Sequence, residues 1–208
     1  MYIFNRTRQA HPDHIFEAMT SSVEVAKKVT EVTGLEIHVW QTRFGAPVGT
    51  ITWSCRLDSQ AELHEATEKL AVDATYVDMA MSMASQYVGP AEDAMMRVVS
   101  GTPADTPSSF YVVTVASMAN GKYAEAIEWG AAMQDYSCSA LGAPGVFGTA
   151  SYGGFAVVAW LMGRDSMTEV DAAADWEMSD AGYHERIQAA SELFIPGSGH
   201  QRLIERLN

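Results

Sequence analysis

The chain has 208 residues, 48% of them hydrophobic and 19% charged, enough to bury the core of one large domain or two small ones and too apolar for a disordered chain. Its formal net charge of −13, from 13 basic and 26 acidic side chains, repels phosphates and anionic lipid, which excludes nucleic acid and membrane as expected partners. Cys55 and Cys138 are too few for a disulfide framework and read as buried thiols; no apolar run reaches membrane-spanning length, and the start MYIFNRTRQAHPDH has no signal-peptide pattern, so a cytoplasmic location is expected by default.

In chain order, residues 2–8 read as a strand rich in aromatic and β-branched side chains. His11-Pro12-Asp13 opens a helix that runs to about Thr33, with Phe16, Met19, Val23 and Ala26 at helical spacing. A hairpin follows, 35–44 with 48–57, around Gly45-Ala46-Pro47. Ser59-x-x-Glu62 is a capping box, and two helical stretches come after it, parted near Val72. The later stretch carries Tyr76, Met79, Met83 and Tyr87 as one core-facing stripe. Met95–Ser100 reads as a final strand, and GTPADTPSS, residues 101–109, as a linker. The order then restarts. A strand is expected at 110–117, a helix at about 119–139 and a hairpin of 145–151 with 154–162 around Gly153-Gly154. Ser166-x-x-Glu169 caps two more helical stretches parted near Met178, and Gln201–Leu207 is a last strand, with a helix as its alternative.

The restart is a duplication. Trp53, Asp58, Ser59, Glu62, Ala66, Asp73, Ala74 and Tyr76 recur 107 positions later as Trp160, Asp165, Ser166, Glu169, Ala173, Asp180, Ala181 and Tyr183. A period this long means a doubled domain and not a solenoid. The expected domains are residues 1–100 and 110–208.

Strand, helix, strand, strand, helix, strand is the ferredoxin-like pattern. The expected fold class is α+β, two tandem ferredoxin-like repeats packed sheet to sheet as an intramolecular α/β barrel. The element order, the duplication and the Trp-x4-Asp-Ser-x-x-Glu echo resemble the dimeric α/β-barrel superfamily in its tandem-duplicated form. That group includes antibiotic-biosynthesis monooxygenases, NIPSNAP-like proteins and chlorite-dismutase-like haem proteins; no motif assigns one family. The resemblance implies a ligand pocket, either between a sheet and its own helices or in the barrel interior. Whether the repeats pair within one chain or between chains stays open, as does monomer against homo-oligomer.

Candidate site residues come from the first hairpin. In LEIHVW, Leu35, Ile37 and Val39 alternate with Glu36, His38 and Trp40, so one strand face is apolar and the other carries a carboxylate, an imidazole and an indole. A three-residue turn sets Thr42 opposite Thr50, Trp40 opposite Thr52, His38 opposite Ser54 and Glu36 opposite Arg56. A shift of 107 replaces Glu36, His38, Trp40 and Thr42 with Ala143, Gly145, Phe147 and Thr149. One half thus offers polar groups and the other an apolar wall around Phe147, as a pocket for a small hydrophobic or aromatic molecule requires.

Three functions fit. One is a cofactor-independent oxygenase or isomerase on an aromatic or polyketide-like compound. In it His38 moves a proton and Glu36 orients it, Trp40 stacks on substrate, Arg56 holds an oxygen anion, and Thr42, Thr52, Ser54 and Phe147 complete the binding wall. A non-catalytic ligand-binding or structural module is the second. The third, implied by the chlorite-dismutase-like resemblance, is haem binding, for which the second copy offers His184 and His200. No metal site is expected, since His11 and His14 fall at a helix start. No cofactor is expected either, since glycine-rich nucleotide loops and nucleophile elbows are missing.

Overall fold

The computed structural model describes residues 1–208. The elements follow as β1 (Tyr2–Ala10), α1 (Ile15–Thr33), β2 (His38–Phe44), β3 (Thr50–Leu57), α2 (Gln60–Val72), α3 (Ala74–Ser82) and β4 (Tyr87–Gly101). The second series is β5 (Phe110–Ser117), α4 (Tyr123–Leu141), β6 (Gly145–Tyr152), β7 (Val157–Arg164), α5 (Met167–Ser179), α6 (Ala181–Ala189) and β8 (His200–Arg206). This is the tandem α+β pattern expected. The chain divides into two compact units, Met1–Met95 with Glu205–Asn208, and Met96–Ile204.

In the first unit β3 lies between β1 and β2, antiparallel to both. Ile51, Trp53, Cys55 and Leu57 on β3 and Val39 on β2 pack towards the helices, as the alternation predicts. The helices form where side chains satisfy their first turns. Ser59 accepts from Glu62 N–H while the Glu62 carboxylate accepts from Asp58 N–H, and Asp73 accepts from Tyr76 N–H. The chain's last residues complete this unit's edge, where Leu207 N–H donates to Val39 O at 2.8 Å and Val39 N–H to Asn208 Oδ1 at 2.8 Å.

The second unit repeats the plan with β7 between β5 and β6. Ser166 and Asp180 take the capping roles of Ser59 and Asp73. Its core gathers Ala116, Met118, Ala126, Phe147 and Val158 against Ile127 and Trp160.

Four local expectations change. The helix expected at 119–139 is α4 at 123–141, because Asn120 and Gly121, with φ 78°, turn the chain first. Tyr87 belongs not to a helical stripe but to β4, which starts eight residues before the expected Met95; a short 3-10 turn over Ala84–Gln86 ends the helical run. Both hairpin turns are longer than expected, spanning residues 45–49 and 153–156. Glu36 lies outside β2, which begins at His38.

The longer turns carry a consequence for the duplication. Trp53 and Trp160 occupy the same place, each donating its indole N–H to a helix carbonyl, Ser22 O and Gly130 O. Across the hairpin Trp53 pairs with Val39, whereas Trp160 pairs with Phe147. Val39 and Phe147 are 108 positions apart, as are Ser22 and Gly130 and the helix-ending Gly34 and Gly142, both with positive φ. The repeat therefore runs at 108 up to the hairpin turn, loses one residue there, and runs at 107 afterwards. A one-residue slip moves a side chain to the other face of a strand. Phe147 is thus the counterpart of Val39 and not of Trp40; it is fully buried against its own helix instead of facing the side that His38 and Trp40 occupy.

Candidate functional site

The predicted register of the first hairpin is present from His38 opposite Ser54 to Trp40 opposite Thr52, and its ladder ends at Gln41 opposite Ile51, one residue short of Thr42. His38 is 9% exposed and Trp40 is buried. The Trp40 indole N–H donates to Ser54 Oγ at 2.8 Å, and its ring centroid lies 6.2 Å from that of His38. Thr52 shares a hydroxyl hydrogen bond of 2.9 Å with Thr7 on β1. Glu36 stands out in solvent but reaches back, with Oε1 3.7 Å from His38 Nε2. Burial holds the His38 ring below its ordinary pKa; Glu36 opposes this, and Arg56 and Arg206 add to it. Arg56 sits opposite Ile3 of β1. The hairpin thus gathers His38, Trp40, Ser54 and Glu36, with Arg56 acting on His38 through its charge.

A cavity of about 370 Å³ lies in the second unit, between its sheet and its own helices, and none of the residues expected from sequence lines it. Its floor is built by period-two alternation, with Val112, Thr114 and Ala116 on β5 and Trp160, Met162 and Arg164 on β7. Trp129, Met133, Gln134 and Ser137 descend from α4 at helical spacing, and Glu177, Tyr183 and Ile187 come from α5 and α6. The far wall is the segment from Phe194 to Gly199.

The aromatic wall is already satisfied in its polar atoms. Trp160 N–H donates to Gly130 O at 2.9 Å and Trp129 N–H to Arg186 O at 3.1 Å, so the rings offer the cavity only apolar surface. Trp129, Trp160 and Phe194 pack edge to face with centroids 5.5–6.0 Å apart.

Four polar groups, Arg164, Glu177, Tyr183 and Gln134, stand against this wall. Arg164 is 4% exposed; its Nη1 donates to the carbonyl of its own neighbour Gly163, and no carboxylate lies within 4.0 Å of it. Burial lowers its pKa, which Glu177 in part offsets. Burial raises the carboxyl of Glu177 above its usual range, and Arg164 opposes the rise. Tyr183 is pushed up to about 12 by burial and by the nearby Glu177. Gln134 is 1% exposed; its Nε2 donates to the weak sulfur acceptors Cys138 Sγ and Met162 Sδ, and its Oε1 has no partner. A buried unsatisfied polar atom costs about 1–3 kcal/mol, so it calls for an explanation.

The signal that could have found this site was the one applied to His38, the duplication used as a control. At the corrected offsets Gln134 stands where the first repeat has Ala26, Arg164 where it has Leu57, and Glu177 where it has Leu70. The fold itself requires none of the three polar groups. Neither histidine considered for haem lines the cavity, and the exposed His184 spends its Nε2 on Glu177 O at 2.9 Å. The residues present do not supply a histidine ligand for haem there. No three His, Cys, Asp or Glu side chains converge as a metal site.

The comparisons with known proteins agree with this architecture. No family model and no curated protein matches the chain. Among solved structures, a proposed monooxygenase from Fusobacterium nucleatum superposes with a TM-score of 0.73 at 10% identity, covering 100% of this chain and 92% of that one. An anthrone oxidase-like protein gives 0.67 at 13% identity, covering 100% and 91%. A haem-binding protein from Thermus thermophilus gives 0.55 at 12% identity, covering 100% and 91%. What these structures share with this chain is the fold of two tandem ferredoxin-like α+β repeats. At these identities the likeness extends to the fold alone, and no single family within the superfamily is assigned.

Proposed function

We propose that this is a small-molecule-binding protein whose ligand is a flat, largely apolar aromatic compound held in the cavity of the second unit. The observation that carries this is the pairing of an aromatic wall with Arg164, Glu177 and Gln134, three polar groups that stand where the first repeat, built on the same frame, has Leu57, Leu70 and Ala26. The volume falls in the range of ordinary ligand sites, about 300–1,000 Å³. Cofactor-independent oxygenase or isomerase chemistry is the activity we assign to it. Its support is the likeness in fold to a proposed monooxygenase and an anthrone oxidase-like protein, together with Glu177, whose raised carboxyl suits proton exchange with an acidic C–H or phenol. Calorimetric titration with 2-naphthol tests the binding: the wild type should bind it, and Met133→Trp, which fills the space, should not. Equal binding by both proteins would place the ligand elsewhere.

A second reading sets the chemistry on the first hairpin. The buried His38 beside Trp40, with Glu36 at 3.7 Å, favours it. Under this reading His38→Ala abolishes turnover of an identified substrate and leaves the fold intact; full activity of that variant removes it.

A further inference from the structure

We infer that the ligand of the second unit's cavity carries a carboxylate, which docks on Arg164. This rests on the cavity being the small-molecule site and specifies what enters it. A guanidinium is a planar fork that matches a carboxylate through two parallel hydrogen bonds. Arg164 is buried to 4% exposure and reaches the cavity, yet within the protein its fork meets only a peptide carbonyl. A buried charge without a partner is expensive, and native proteins keep one where something else completes it. The first repeat, built on the same frame, has Leu57 there, so the charge is not a requirement of the fold.

Glu177 is the protein's own candidate partner, but it stands beyond 4.0 Å, and burial works against its ionised form. An incoming carboxylate therefore gains a cation that Glu177 has not claimed. Gln134 also lines the cavity, and its amide oxygen is buried without a partner. The aromatic body then lies against Trp129 and Trp160.

The test is calorimetric titration of the full chain with three probes of one shape, 2-naphthoate, 2-naphthamide and 2-naphthol. The wild type should bind 2-naphthoate at least about tenfold more tightly than the neutral amide, the range expected of one charge-assisted pair. Arg164→Met should lose that preference and keep its affinity for the amide, and Glu177→Gln should bind the acid as tightly as wild type or more so. Equal wild-type affinity for acid and amide would overturn the inference while leaving the pocket assignment in place. So would loss of acid binding in Glu177→Gln, which would make the carboxyl the anchor. Binding of none of the three probes would overturn both. The wild-type comparison decides the matter even if Arg164→Met does not fold.

Discussion

The two repeats solve one packing problem in two ways. In the first unit the space between sheet and helices is closed by side chains: Val39, Ile51 and Trp53 meet Ala18, Ala26, Met83 and Tyr87. Tyr87 leads directly into a strand. In the second unit its counterpart Phe194 makes one bridge to Met118, and the chain then stays out of the sheet until His200. That detour walls a cavity, and Arg164, Glu177 and Gln134 replace apolar residues around it. A frame that folds with the apolar set has no need of the polar one. Polar residues private to one copy of a duplication are thus better pointers to function than polarity alone.

The comparison can be broken most sharply at Phe147. As a fully buried core residue it should cost about 3–5 kcal/mol when cut to Ala, read by urea denaturation. A variant that keeps its stability would return Phe147 to a ligand wall. The next effect comes from making the second unit like the first. Arg164→Leu with Glu177→Leu removes one buried and one half-buried charged group and should stabilise by up to about 1–4 kcal/mol in the same measurement. A marked loss of stability would show that these groups hold the fold instead of a ligand.

The corrected alignment makes a smaller prediction. A side chain on Gly130 would come within 2.3 Å of the Phe147 ring, while at the two corresponding positions the first repeat has the larger Ser22 and the smaller Val39. Gly130→Ser should cost about 1–3 kcal/mol, and Phe147→Val added to it should recover much of that. Additive losses would sink the pairing. The smallest effect is in pH. His38 is held below its ordinary pKa by burial, so the unfolded chain takes up the proton first. Stability should fall as pH drops below about 6.5 and level off below the folded value. Melting curves of His38→Gln should lack that slope, and Glu36→Gln should steepen it, because Glu36 works against the burial.

Much was legible in the chain itself. The α+β order, the duplication, both capping boxes, the apolar face of β3 and the pairing of His38 with Ser54 all follow from local rules, namely strand alternation, helical spacing and side-chain capping. The cavity did not follow, because it depends on where Phe194–Gly199 leaves the sheet and on how α4 and α6 stand over β7. No periodicity records a void.

Sequence by itself determined which side chains each half owns and that the two halves share one plan. Only the tertiary structure decided which face Phe147 takes. The gapless identities from Trp53 to Tyr76 fix the offset after the hairpin turn, whereas a residue lost inside that turn resets every position before it. Two different turns can close the same ladder, so sequence spacing cannot reveal the slip; the partner of Trp160 across the sheet does.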